Sequence, residues 1–219
     1  MRIAETPPTN FGVILYPGFQ ALDAFGPLDA LNILSQRFPI QLSILARTLE
    51  PVSTKTFINP QSNCAQSIVP THTFDSPPEN LEVLLIPGGH GGHSDEAMAP
   101  VIKFIAATYP SLQCLITVCT GSSIAARSGI LDGRRATSNK ESWKWATEQG
   151  PKVNWVPRAR WVVDGNIYTS SGVSAGIDAT LAFMDEVFGK EATTQVAAEM
   201  EYTRHLDPDE DPFATLYGL

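Results

Sequence analysis

Leu112-Gln-Cys-Leu-Ile-Thr-Val118, running straight into Cys119-Thr-Gly-Ser-Ser123, decides how this chain folds. The first seven residues are a near-continuous apolar run, the pattern of a strand covered on both faces by helices. The next five are small, and Thr120 to Ser128 reads as a helix closed by Gly129 at its C-cap. A buried strand that turns sharply into a helix lifts the residue at the corner out of the sheet edge, and here that residue is Cys119. A helix N-terminus is expected to lower the pKa of a thiol placed there.

Similar runs lie to either side. Phe11 to Tyr16 enters Pro17-Gly18, Ile40 to Ala46 is a second strand, and Leu81 to Ile86 enters Pro87-Gly88-Gly89. Helical segments separate them. Pro27 suits a first helical turn, which predicts a helix from there to about Arg37. Ala97 to Thr108 places Met98, Val101, Ile102, Ile105 and Ala106 on one face. Glu141 to Gln149 stops at Gly150, and Ala175 to Phe188 is joined to Glu191 to Tyr202 at Gly189. Arg160 to Thr169 reads as a hairpin turning at Asp164-Gly165-Asn166. The polar stretch from Pro51 to Pro78 predicts short strands and loops. The fold class is therefore α/β, a mostly parallel, doubly wound sheet with helices on both faces and one hairpin. Residues 1–10 read as a tail and residues 11–219 as one domain. If the strands are parallel, Gly18, Gly89 and Cys119 share the C-terminal edge, where such sheets bind ligands.

Composition narrows the function. Of 219 residues 43% are hydrophobic and 17% charged, and the formal net charge is −8. No basic cluster exceeds Arg134-Arg135, which argues against nucleic acid and anionic membranes as partners. No apolar run reaches the ~20 residues a membrane span requires. Met1 to Asn10 lacks the pattern of a secretory signal, so a cytosolic protein is expected. The three cysteines, Cys64, Cys114 and Cys119, make no disulfide framework and no zinc spacing. His90 and His93 lie three apart in a glycine-rich loop without a third ligand in recognisable spacing.

Two further groups suit chemistry beside Cys119. Pro87 to Gly92 follows a buried strand, and the amides of Gly89 and Thr120 are candidates to stabilise developing negative charge. Asp23 sits in the apolar stretch Gln20 to Gly26. Burial there raises a carboxyl pKa and suits a proton donor, while a helix N-cap is the structural alternative. Trp143, Trp145, Trp155 and Trp161 read as core or interface aromatics. Lys140 and Arg160 read as exposed salt-bridging residues, with lining of a pocket as the alternative, and Asp207 to Asp211 as a solvated acidic turn.

These motifs resemble the DJ-1/PfpI superfamily. The resemblance rests on Tyr16-Pro-Gly-Phe19 with Asp23 and Gly26-Pro27, on Ile86-Pro-Gly-Gly89 and on Val118-Cys-Thr-Gly-Ser122. It extends through Gly129-Ile-Leu-Asp-Gly-Arg-Arg-Ala-Thr137, Asp164 to Gly172 and Gly176-Ile-Asp178, and is nearest to the isonitrile hydratase branch. It implies a flavodoxin-like sandwich, a homodimer and a small-molecule substrate. By matched position it implies Cys119 as nucleophile, Asp23 as its acidic neighbour, Thr120 as the threonine after the nucleophile and Gly89 as the oxyanion-type backbone position. The implied reaction converts isonitriles to N-substituted formamides through a thioimidate on Cys119, and needs no cofactor or metal. A glutathione-independent glyoxalase, a redox sensor or ligand-binding module and a regulator's sensor domain are the alternatives. Thr120 in place of histidine counts against the first. The chain as given leaves no room for a helix-turn-helix, which counts against the last. Asn139 stands where bacterial hydratases and related sensor domains often carry histidine, so the pocket is expected to differ there.

Overall fold

Three apolar runs form the middle of a seven-stranded sheet. The structure, a computed structural model, describes residues 6–219. Of the tail expected over residues 1–10, residues 1–5 lie outside the described residues. Its last residues already belong to the sheet: β1 spans Asn10–Ile14, and the Glu82 carboxylate accepts hydrogen bonds from the Thr9 and Asn10 amides at 2.7 and 2.9 Å. The strands β2 (Gln41–Ala46), β6 (Val83–Ile86) and β7 (Cys114–Thr117) follow the predicted runs. Every residue of β6 and β7 is buried. The hairpin is β10 (Trp161–Asp164) and β11 (Ile167–Ser170), turning at Gly165-Asn166. The polar stretch contributes only two-residue strands, β3 (Val52–Ser53), β4 (Ser67–Ile68) and β5 (His72–Thr73). Two more short strands, β8 (Arg135–Ala136) and β9 (Asn154–Trp155), pair with each other.

The order across the large sheet is β10-β11-β7-β6-β1-β2-β5, and every pairing except that of the hairpin is parallel. Leaving β1 the chain moves first to β2 on one side and later to β6 on the other. The crevice between the C-terminal ends of β1 and β6 is thus the switch point at which doubly wound sheets bind ligands. The helices α1 (Ala21–Leu34), α5 (Ala175–Val187) and α6 (Lys190–Glu199) pack together on one face. The helices α2 (Asp95–Thr108), α3 (Gly121–Arg127) and α4 (Trp143–Glu148) cover the other. A last short helix, α7, spans Pro212–Leu216.

Several expectations are corrected. The first helix begins six residues before Pro27, with Gln20 as its N-cap. Proline therefore sits in its interior, where it leaves the Asp23 carbonyl without its helical N–H partner. Asp23 is in the first turn and is no N-cap. On α2 the buried face is Met98, Val101, Phe104 and Ile105, with Ala106 exposed, because the buried arc extends from Val101 and Ile105 towards Phe104, on the side away from the alanine.

The larger corrections concern charge. Lys140 and Arg160 are each 3% exposed. Lys140 Nζ donates to Thr137 Oγ1 and the Ala159 carbonyl at 2.7 and 2.8 Å and lies 3.8 Å from Asp211, which is itself buried. So one member of the acidic turn is a counter-ion inside the protein and also caps α7 through the Phe213 amide. Arg160 binds Asp178 through Nε and Nη2 at 2.8 and 2.7 Å. The same carboxylate accepts from Tyr202 Oη and the His205 amide, at 3.1 and 3.0 Å. This joins the start of the hairpin to α5 and to the segment after α6. Arg160→Met leaves the Asp178 carboxylate buried without its cation. The variant is expected to lose about 3–5 kcal/mol of stability, measured by urea unfolding. A loss under about 1 kcal/mol would show the pair to be dispensable.

Candidate active site

Cys119 leaves β7 with φ +58°, a left-handed conformation that non-glycine residues rarely hold. Four hydrogen bonds fix it. The Val118 amide bonds the Ile86 carbonyl, the Cys119 amide bonds the Ser171 carbonyl, and the Cys119 carbonyl accepts from the hydroxyls of Ser122 and Ser138. Gly121 follows because nothing larger fits: a Cβ there would sit 2.2 Å from the Ile86 carbonyl oxygen. The small residues after the cysteine thus let the elbow press against the end of β6.

Asp23 reaches the same place from α1. It is fully buried, and its Oδ2 accepts from the Gly88 amide at 2.9 Å. Its other oxygen, Oδ1, is buried and makes no hydrogen bond of normal geometry. Burial raises the carboxyl to about 7, against the partial relief given by the Gly88 N–H and the Cys119 thiol. Tyr16, on the turn after β1, is buried beside both groups and donates to the Pro87 carbonyl at 2.8 Å.

The thiol itself departs from expectation. Burial first, and the Asp23 charge second, push Cys119 up to about 12, although the Val173 and Thr120 amides and the Asn139 side chain each lower it by hydrogen bonding. The helix behind it has only seven residues. Within that turn the Gly121 and Ser123 amides are already bonded to the carbonyls of Val118 and Thr120. Desolvation therefore outweighs what the helix end supplies.

Gly89 also plays a different part from the one expected. Its amide donates to Thr120 Oγ1 at 3.1 Å, so it holds the threonine in place, while the Thr120 amide faces the sulfur. Gly89 has φ +132°, open only to glycine, and a Cβ would meet the Gln20 amide and Gly18 carbonyl at 2.5 Å. The glycine run lets this loop lie flat against the Pro17–Phe19 turn. All four expected residues, Cys119, Asp23, Thr120 and Gly89, thus converge at the switch point.

Above them is a cleft of about 300 Å³, lined among others by Gln20, Gly89, His93, Cys119, Asn139 and Val173. Asn139 reaches Cys119, and its Oδ1 accepts from the Ser142 amide at 2.8 Å. The Val173 amide has no signal in the sequence, since a backbone N–H is carried by any residue. His93 lies flat on Trp145, with ring centroids 3.7 Å apart and planes 3° apart. Trp145, half-buried, is therefore stacked on a residue of the cleft and does not belong to the core. His90 and His93 have their rings 5.7 Å apart, and among the described residues no group of three or more His, Cys, Asp or Glu side chains is placed to hold a metal. Cys114 is buried in the sheet and Cys64 is exposed. Among the described residues no helix is long and apolar enough to cross a membrane.

A mostly parallel flavodoxin-like sheet, with a cysteine on a left-handed elbow beside a buried acid, defines the class of protein this is. The chain belongs to the DJ-1/PfpI family, whose pattern matches residues 11–186. It is 32% identical over 195 residues to the isonitrile hydratase of Pseudomonas putida, covering 88% of this chain and 78% of that protein. It is 29% identical over 199 residues to the HTH-type transcriptional regulator GbdR of Pseudomonas aeruginosa, covering 90% of this chain and 52% of the regulator. The crystal structure of a ThiJ/PfpI family protein from Pseudomonas syringae superposes with a TM-score of 0.74 at 28% identity, covering 93% of this chain and 79% of that one.

Proposed function

We propose that the protein is a cysteine-dependent isonitrile hydratase, converting isonitriles to N-substituted formamides. The observation that carries this reading is the pairing of the Cys119 thiol, which lines the cleft, with a buried Asp23 carboxyl near 7 beneath it. The likeness to an isonitrile hydratase over most of the chain supports it.

The terminal carbon of an isonitrile is both electrophilic and, once attacked, basic. Above pH 7 Asp23 is ionised and Cys119 holds its proton. As sulfur bonds to the isonitrile carbon, its proton passes to Asp23. Asp23 then gives that proton to the carbon, which completes a thioimidate and restores the carboxylate. The Val173 and Thr120 amides and Asn139 stabilise negative charge on sulfur while the bond forms. Water next adds to the thioimidate carbon. The C–S bond breaks, one water proton ends on nitrogen and the other on sulfur, and the formamide leaves.

The test is to incubate the wild-type protein with aryl and alkyl isonitriles and follow the formyl proton by NMR. Formamide in every productive reaction, at one equivalent per isonitrile consumed, is the expected result. No turnover of any isonitrile overturns the reading and makes methylglyoxal the next substrate to assay.

A further inference from the structure

The mechanism above leaves open which group takes the proton from water in the hydrolysis step. Asp23, ionised again once the thioimidate has formed, is fully buried beneath the sulfur, bonded to the Gly88 amide, and does not line the cleft that water enters. Water must reach the thioimidate from the open side, where the titratable side chains lining the cleft are His90, His93 and Glu141. One of these three is built in. The His93 ring is clamped in parallel contact with Trp145 of α4. Its turn is tied down by Arg127 of α3, which donates to the Gly92 carbonyl at 3.1 Å and to Asp95 of α2 at 2.6 Å.

Resting on the hydratase reading, we infer that His93 is the general base of thioimidate hydrolysis, oriented over the cleft by Trp145. An unprotonated ring nitrogen takes a proton from water as the oxygen bonds to carbon, and returns it when sulfur leaves. Three surroundings keep the ring in its basic form. Partial burial, then His90, then the Arg127 guanidinium each lower its pKa below the ordinary histidine value. The charges that face it oppose one another: His90 on its own turn and Arg127 on α3 disfavour protonation, while Asp95 on α2 and Glu141 in the cleft wall act the other way. The sequence carried only half of this signal, two histidines in a glycine-rich loop. Their approach to Cys119 and the Trp145 contact come from the fold.

The experiment is intact-protein mass spectrometry during turnover, on wild type, His93→Gln and Glu141→Gln. His93→Gln is expected to form the adduct, heavier by one whole isonitrile, at the wild-type rate, and to hydrolyse it about 10²-fold or more slowly. The adduct then accumulates, kcat and KM fall together, and added imidazole restores part of kcat. The acid limb of wild-type kcat should lie below the ordinary histidine range and vanish in the variant. Trp145→Phe, which keeps an aromatic face, should lose less activity than Trp145→Leu. Wild-type adduct lifetime in His93→Gln overturns the assignment, as does accumulation in Glu141→Gln instead. Absence of both adduct and formamide in the wild type has a different meaning, because it removes the hydratase reading itself.

Discussion

Cys119→Ser is expected to lower formamide formation by about 10⁴-fold or more, with no adduct detectable by mass spectrometry. The argument rests on acidity and on size. The thiol is already held up to about 12 by burial and by Asp23, and a hydroxyl in the same place is a far weaker acid. Asp23, near 7, removes a proton from a thiol far more readily than from an alcohol, and the thiolate it generates is the stronger nucleophile. Oxygen is also smaller, so it recedes from the cleft by several tenths of an ångström. The fold should be untouched, because the elbow is fixed by backbone contacts to Ile86 and Ser171 and by the Ser122 and Ser138 hydroxyls on the Cys119 carbonyl. Equal unfolding midpoints for variant and wild type would confirm that the loss is chemical. Residual turnover within about tenfold of wild type would mean that sulfur forms no bond to carbon, and the covalent scheme would fall.

How far the site can be read from sequence depends on where each contact comes from. Cys119 and Gly89 follow strands of the parallel sheet within three residues, and Asp23 sits in the first turn of the helix that follows β1. Once the apolar runs are assigned, the sheet edge brings them together without further information. Thr120 comes with Cys119 as its neighbour. Asn139, Val173 and His93 arrive on loops whose paths are set by tertiary packing, and their types are ordinary for loops. The thiol shifts opposite to the direction its helix position predicts, for a related reason. A helix start is visible in the letters, whereas burial from the Val173 loop is not. Lys140 and Arg160 look like surface residues because their partners, Asp211 and Asp178, lie elsewhere in the chain. Nothing local marks an ion pair as buried. Pro27 misled in the opposite way: its preference for a first turn is real, yet the apolar face of Ala24, Leu28 and Leu31 extends the helix back past it.

Asp23→Asn separates the chemical and the structural consequences of a buried acid. In the wild type, kcat/KM is expected to rise with pH through about 7, where Asp23 ionises, and then to stay level. Asparagine still accepts the Gly88 amide but takes no proton from sulfur. The rate should fall about 10²–10⁴-fold, and what remains should climb steadily with pH, following the small thiolate fraction. Stability should move the other way. The folded carboxyl titrates near 7 while its ordinary value is 3.8, so the folded state binds more protons than the unfolded state between those limits. Wild-type stability therefore falls as pH rises across that window, by on the order of 4 kcal/mol in all. The asparagine variant has no such dependence at this position. Relative to wild type it should gain stability from pH 4 to pH 8, measured by urea unfolding at each pH. A variant that is less active and no more stable at pH 8 would show that Asp23 is not ionised in the resting protein. The proton would then have to leave Cys119 by another route, and the pH-dependent limb of the wild type would belong to a different group.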